Sequence, residues 1–165
     1  MTAPNTLSTL DPDFDPTGAA TAGIVAACAY LVVMYADMAA TGSPSDDLLM
    51  LGRPLTADKR RAKLIGLAAH VSFGACMGLV YGGYVRRRLY GPDWARGIQM
   101  MLIENTMLWP LTVPTDRYHP AMKRGELPKL NTPIPAVQQV IRHVGFGAVM
   151  GWLYGKTRKR TPDAT

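Results

Sequence analysis

Apolar residues fall into four blocks along the chain, separated by polar, Pro-rich or basic segments. Block one runs from about Thr17 to Met38, block two from Leu64 to Val85, block three from Gly97 to Val113 and block four from Ala136 to Gly155. A helix crosses the hydrocarbon core of a bilayer with about 20 apolar residues, in a range of roughly 17–25. Blocks one and two meet that length, and block two contains no Asp, Glu, Lys or Arg. Block three is at the short end and carries Glu104 and Asn105 at its middle. Block four opens with Gln138, Gln139, Arg142 and His143. Those polar turns predict an interfacial start, with Arg142 snorkelling toward head groups. A soluble four-helix bundle would show a polar face along each helix, and block two shows none. The pattern predicts an all-α, four-helix transmembrane bundle.

The connections alternate in kind. The link RRRLYGPDWAR between blocks two and three is short and basic, and it turns at Gly91-Pro92. Tyr84, Tyr90 and Trp94 fall where an interfacial aromatic belt would lie. The links after blocks one and three are long. The second is rich in proline and predicts an extended course. In the first, DDLLMLG predicts a brief interfacial turn. Pro110 predicts a kink or an end to the third helix.

Two of the blocks repeat each other. His70–Gly82 reads HVSFGACMGLVYG and His143–Gly155 reads HVGFGAVMGWLYG, with 9 of 13 positions identical at an offset of 73 residues. Gly23-Ile24 and Gly97-Ile98 mark matching starts of the preceding helices. Each unit is then a helical hairpin, repeat one at about 17–85 and repeat two at about 97–155. Because each has an even number of spans, both copies start from the same side and are parallel repeats. In each copy a histidine heads a stripe of glycines every four positions: Gly74, Gly78 and Gly82, and Gly147, Gly151 and Gly155. On a helix these share one face. Three glycines cost stability in an aqueous helix, whereas in lipid they let two backbones approach closely. The stripe predicts a close crossing of the second and fourth helices.

Ionisable groups at membrane depth are expensive and point to function. His70 and His143 share one depth, about 10 Å inside their blocks at 1.5 Å per residue. Three readings follow. Each imidazole bonds to a neighbouring helix or to interfacial water; or the pair are axial ligands of a b-type haem; or His70, His143 and Glu104 line a path for protons or a small solute. A carboxylate at Glu104 must face the interior, pair or be protonated, with His70, His143 and Arg142 as available partners. Asp37, at the end of block one, reads as a solvated helix end.

The net charge of +6 changes the picture little. Its basic clusters, Lys59–Arg61, Arg86–Arg88 and Lys156–Arg160, abut apolar blocks and fit membrane flanks better than a nucleic-acid face. Eight Lys or Arg fall on one side of the four-span layout and nine on the other, so charge sets no orientation. Cys28 and Cys76 lie inside apolar blocks, which disfavours a disulfide framework or a metal cluster. Residues 1–16, with Asp11, Asp13 and Asp15 and no Lys or Arg, read as a flexible acidic tail rather than a signal peptide. Residues 17–156 form the membrane domain, and 157–165 a basic C-terminal tail. No phosphate loop, nucleophile elbow or HExxH motif occurs, so no catalytic residue is assigned.

His70, Phe73, Gly74, Gly78, Tyr81 and Gly82, with their counterparts from His143 to Gly155 and the four-span layout, carry a resemblance to small bacterial inner-membrane proteins of the YagU type and related domains of unknown function. The likeness covers most of residues 17–156. It implies a multi-pass protein of the bacterial cytoplasmic membrane, both termini inside, without an established reaction. This chain's acidic start departs from the basic N-terminus common in that family. The expected role is a helix-packing scaffold or a small-solute or proton pathway, more a non-enzymatic role than an enzyme's. The bilayer is the expected partner, with a homo-oligomer or another membrane protein open and no nucleic acid. No cofactor is expected unless the haem reading holds.

Overall fold

The computed structural model describes residues 10–157, and every regular element among them is helical. Helix α1 (Pro16–Thr41) begins with Pro16 in its first turn and Asp15 accepting from the Gly18 N–H at 3.0 Å. Such a start satisfies a donor that has no partner within the helix. It ends at Gly42, whose φ of 68° lets its N–H close back on the Met38 carbonyl. The DDLLMLG stretch, expected as a brief turn, makes a short helix, α2 (Asp47–Gly52), capped by Asp46. Helix α3 (Lys59–Val80) runs on through a π turn, Tyr81–Val85, and a 3-10 turn, Arg86–Arg88. Helix α4 (Asp93–Leu108) stops just before Pro110, which sits in a 3-10 turn, Trp109–Leu111.

The proline-rich link departs from its expected extended course. It forms α5 (Thr112–Tyr118) and α6 (Pro120–Lys123) before α7 (Pro133–Thr157). Pro114, Pro120, Pro133 and Pro135 stand in first turns, where a missing N–H breaks no helical bond, and Pro128 lies between helices. Part of the acidic N-terminal segment, residues 10–15, meets the helices through Asp11. Asp11 accepts from Arg86 at 2.9 Å and donates its N–H to the Gly83 carbonyl at 2.8 Å, while Arg86 also holds Asp93 at 2.9 Å. Residues 1–9 of that tail and 158–165 of the basic C-terminal tail lie outside the described residues.

Helix α1 packs on α3, α7 packs on α4, and α1 and α7 pack on each other. The glycines decide the first two contacts. A methyl group at Gly23 would overlap the Gly74 carbonyl, and one at Gly97 would overlap the Gly147 carbonyl. Gly78 lies on Ala19 and Gly23, and Gly151 on Asp93 and Gly97. Gly82 faces the Tyr154 ring and Ala19, and Gly155 faces the Asp93 side chain. The stripes therefore bring α3 against α1 and α7 against α4. Apart from Gly82 against the Tyr154 ring, they do not bring α3 against α7 as the spacing suggested, because α1 and α4 supply the small residues that complete each contact.

Two stretches, Pro16–Thr41 and Lys59–Arg88, are long and apolar enough to cross a membrane. Only 39% and 28% of their most apolar windows are buried, so most of that apolar surface faces outward. Val32, Leu64, Ile103, Met107, Val137 and Trp152 are exposed, while several of the largest interior side chains are polar.

Candidate functional site

Arg142 is 0% exposed, the largest fully buried side chain among the described residues. Its guanidinium forks onto Asp37, with Nε to Oδ2 and Nη2 to Oδ1 both at 2.6 Å. Nη1 donates to the Ser45 carbonyl at 2.9 Å and to Asp47 Oδ2 at 3.1 Å. Asp37 also accepts from Gln138 at 2.6 Å, and Asp47 from Gln139 at 3.1 Å. Two sequence expectations are corrected here. Arg142 does not snorkel, because two carboxylates and a carbonyl meet it inside. Asp37 is no solvated helix end, because Arg142 lies one helix away to pair with it.

Tyr30 on α1 extends this network toward the histidines. Its hydroxyl donates to the Asp47 carboxylate and lies 3.1 Å from Gln139 Oε1. Its ring lies against both imidazoles, with centroids 4.9 Å from His70 and 5.6 Å from His143. Both histidines thus face the interior around one tyrosine. His70 is buried, and its Nε2 donates to the Ala27 carbonyl across the helix contact at 3.2 Å. His143 Nδ1 donates to the Gln139 carbonyl at 2.7 Å.

These bonds fix the chemistry of the His143 contact with Glu104. A carbonyl only accepts, so Nδ1 carries a hydrogen and Nε2 is the acceptor in neutral His143. Nε2 stands 3.1 Å from Glu104 Oε2, which receives no aligned hydrogen bond. Two acceptors at that separation need a proton between them, as imidazolium and carboxylate or as imidazole and carboxylic acid. The contact pairs Glu104 on α4 with His143 on α7, one of the three partners the sequence offered it.

Tyr30, Asp47, His70, Glu104, Asn105, Gln139 and His143 all line one cavity of about 450 Å³. Its remaining wall is mainly apolar, including Ala69, Phe73, Met101, Leu108, Trp109 and Phe146. At the loop end Met50, Leu51, Leu111, Thr112, Thr115 and Leu130 line it. That roof is tied down: His119 Nε2 donates to the Met50 carbonyl at 2.8 Å, Arg53 forks onto Glu126, and Asp116 accepts from the Leu130 N–H at 2.7 Å. Toward the other end, Met150 and Tyr154 continue α7 beyond Phe146 as packed core.

The structure therefore brings His70, His143, Glu104 and Asn105 to one cavity and sets Arg142 behind its polar wall. Tyr30, Asp47 and Gln139 complete the site and were not singled out from sequence. A signal for Tyr30 existed: it follows Gly23 by seven residues, as Glu104 follows Gly97. For Asp47 none did, because a folded-back loop helix delivers it. The haem reading does not fit this arrangement. Both Nε2 atoms are engaged, one by a carbonyl and one beside Glu104, and the Tyr30 ring lies against both imidazoles. Among the described residues no three His, Cys, Asp or Glu side chains converge to hold a metal ion. No protein-family model matches the chain, and no curated protein or solved structure is found similar to it.

Proposed function

We propose that this chain is a multi-pass membrane protein whose four long helices, α1, α3, α4 and α7, form two parallel hairpin repeats around a binding site for a small molecule. The carrying observation is the inversion of polarity. Many exposed side chains of the long helices are large and apolar, while Arg142, His70, Tyr30 and Gln138 are buried. Lipid tolerates that surface, and a buried network of this kind is where membrane proteins place function. The recurring glycine contacts, Gly23 with Gly74 and Gly97 with Gly147, support the repeat. The resemblance to YagU-type proteins supports a bacterial cytoplasmic membrane.

Binding is favoured over a continuous proton or solute path, and over a scaffold alone. The cavity's polar residues end at Phe146 and Met101, beyond which Met150, Met100 and Tyr154 belong to the packed core. A scaffold would not leave so large a cavity beside ionisable groups, since unfilled interior space destabilises. The reading is tested by thermal melting of the protein in lipid nanodiscs against a panel of small amphiphiles. A compound that occupies the cavity raises the midpoint of the native protein but not that of Ala69→Trp, which fills the space. If no compound distinguishes the two proteins, the binding reading fails.

A further inference from the structure

We propose that the cavity takes an amphiphile with a positively charged amine head, which docks at Glu104 and arrives sideways from the bilayer between α3 and α4. This rests on the binding reading above and names its ligand.

The charge balance argues for a cation. In and behind the polar wall, Asp37, Asp47 and Glu104 supply three carboxylates against one permanent cation, Arg142. Arg142 is already shared between Asp37 and Asp47. Glu104 is left with the exchangeable proton it shares with His143, and its Oε2 is buried without an aligned hydrogen bond. An uncompensated charge in low dielectric is costly, and an ammonium group supplies three donors to a site rich in acceptors. The apolar wall that makes up most of the cavity selects an organic body rather than a bare ion.

The packing argues for the route. Helices α3 and α4 meet only near the link, where Tyr81 donates to the Asp93 carbonyl at 2.8 Å and Arg86 holds Asp93. Toward the loop end they separate, although the equivalent pair, α1 and α7, stays packed throughout. The two-fold arrangement is thus broken at one of its four helix contacts, and the cavity occupies that gap. Phe73 on α3 and Leu108 on α4 flank the opening and are 43% and 46% exposed. Ala69, Phe73 and Leu108, all exposed and all lining the cavity, turn this side of it toward lipid.

Trp109 lines the cavity and supplies the test. In nanodiscs, Trp94→Phe with Trp152→Phe leaves it as the sole tryptophan. It is titrated with dodecylamine, dodecanol and dodecanoate, each brominated at the chain end to quench nearby indole. The account expects saturable quenching by the amine, at least about tenfold tighter than by the other two, and weakened by a similar factor in Glu104→Gln, as for loss of a charge-assisted bond. The comparison of heads on the native site needs no variant at Glu104, so it holds if Glu104→Gln folds poorly. Saturable quenching by all three heads alike, or by the alcohol or carboxylate best, overturns the amine assignment while leaving a binding cavity. Quenching that only grows linearly with each probe overturns both.

Discussion

Tyr30 and Glu104 occupy the same place in the two helix pairs: each lies seven residues beyond the glycine that packs its helix, and each meets the histidine of the partner helix. Tyr30 meets His70 ring to ring at 4.9 Å, and Glu104 meets His143 at 3.1 Å. One contact is aromatic and the other polar. The ionisable group of the two lies on α4, in the cavity wall. The tyrosine goes on α1, where α7 and α2 enclose it.

The buried arginine carries the first prediction. Removing Arg142 leaves Asp37 and Asp47 facing each other without a cation, and breaking a buried pair in this way costs about 3–5 kcal/mol. Arg142→Met should lower the unfolding free energy in detergent by that order. Adding Asp37→Asn and Asp47→Asn should recover part of the loss, since the orphaned charges go with it. A single variant as stable as the native protein would show that the network does not hold α2 to the helices.

The glycine contacts carry the second. Gly97→Ala and Gly23→Ala each press a methyl group into a partner backbone that cannot give way. Each should cost at least about 1–3 kcal/mol by overpacking. Gly145→Ala would meet only a Val33 methyl group, which can turn aside, and should be near neutral. Similar melting temperatures for all three would remove the close crossing from the account.

The helices were legible because local patterns determine them: apolar runs gave their extent, Pro110 gave the end of α4, and Gly91-Pro92 gave the short turn. The glycine stripe showed which faces pack but not against what, since a stripe of small residues fits any neighbour that is also small. The partner glycines, Gly23 and Gly97, were visible only as isolated matches. His70, His143 and Glu104 were legible as costly residues in apolar blocks. Asp37, Asp47 and Arg142 were not legible as a unit, because they come from three separate elements. Each alone looks like an ordinary helix-end charge. The proline-rich link misled because prolines that stop a helix and prolines that start one look alike without the fold.

The account's central claim is a bundle of four spans with a polar interior, and labelling with a membrane-impermeant maleimide in sealed vesicles tests it most directly. Cys28 and Cys76 lie exposed on helix faces and are free thiols. In the native protein both should resist the reagent until the bilayer is dissolved. With those two replaced by serine, cysteines placed at Ala57 and Arg124 should label from one side of the membrane. Cysteines placed at Tyr90 and Lys156 should label only from the other. Ready labelling of Cys28 and Cys76 in intact vesicles, or Ala57 and Tyr90 reacting from the same side, would contradict the four-span bundle and the site built inside it.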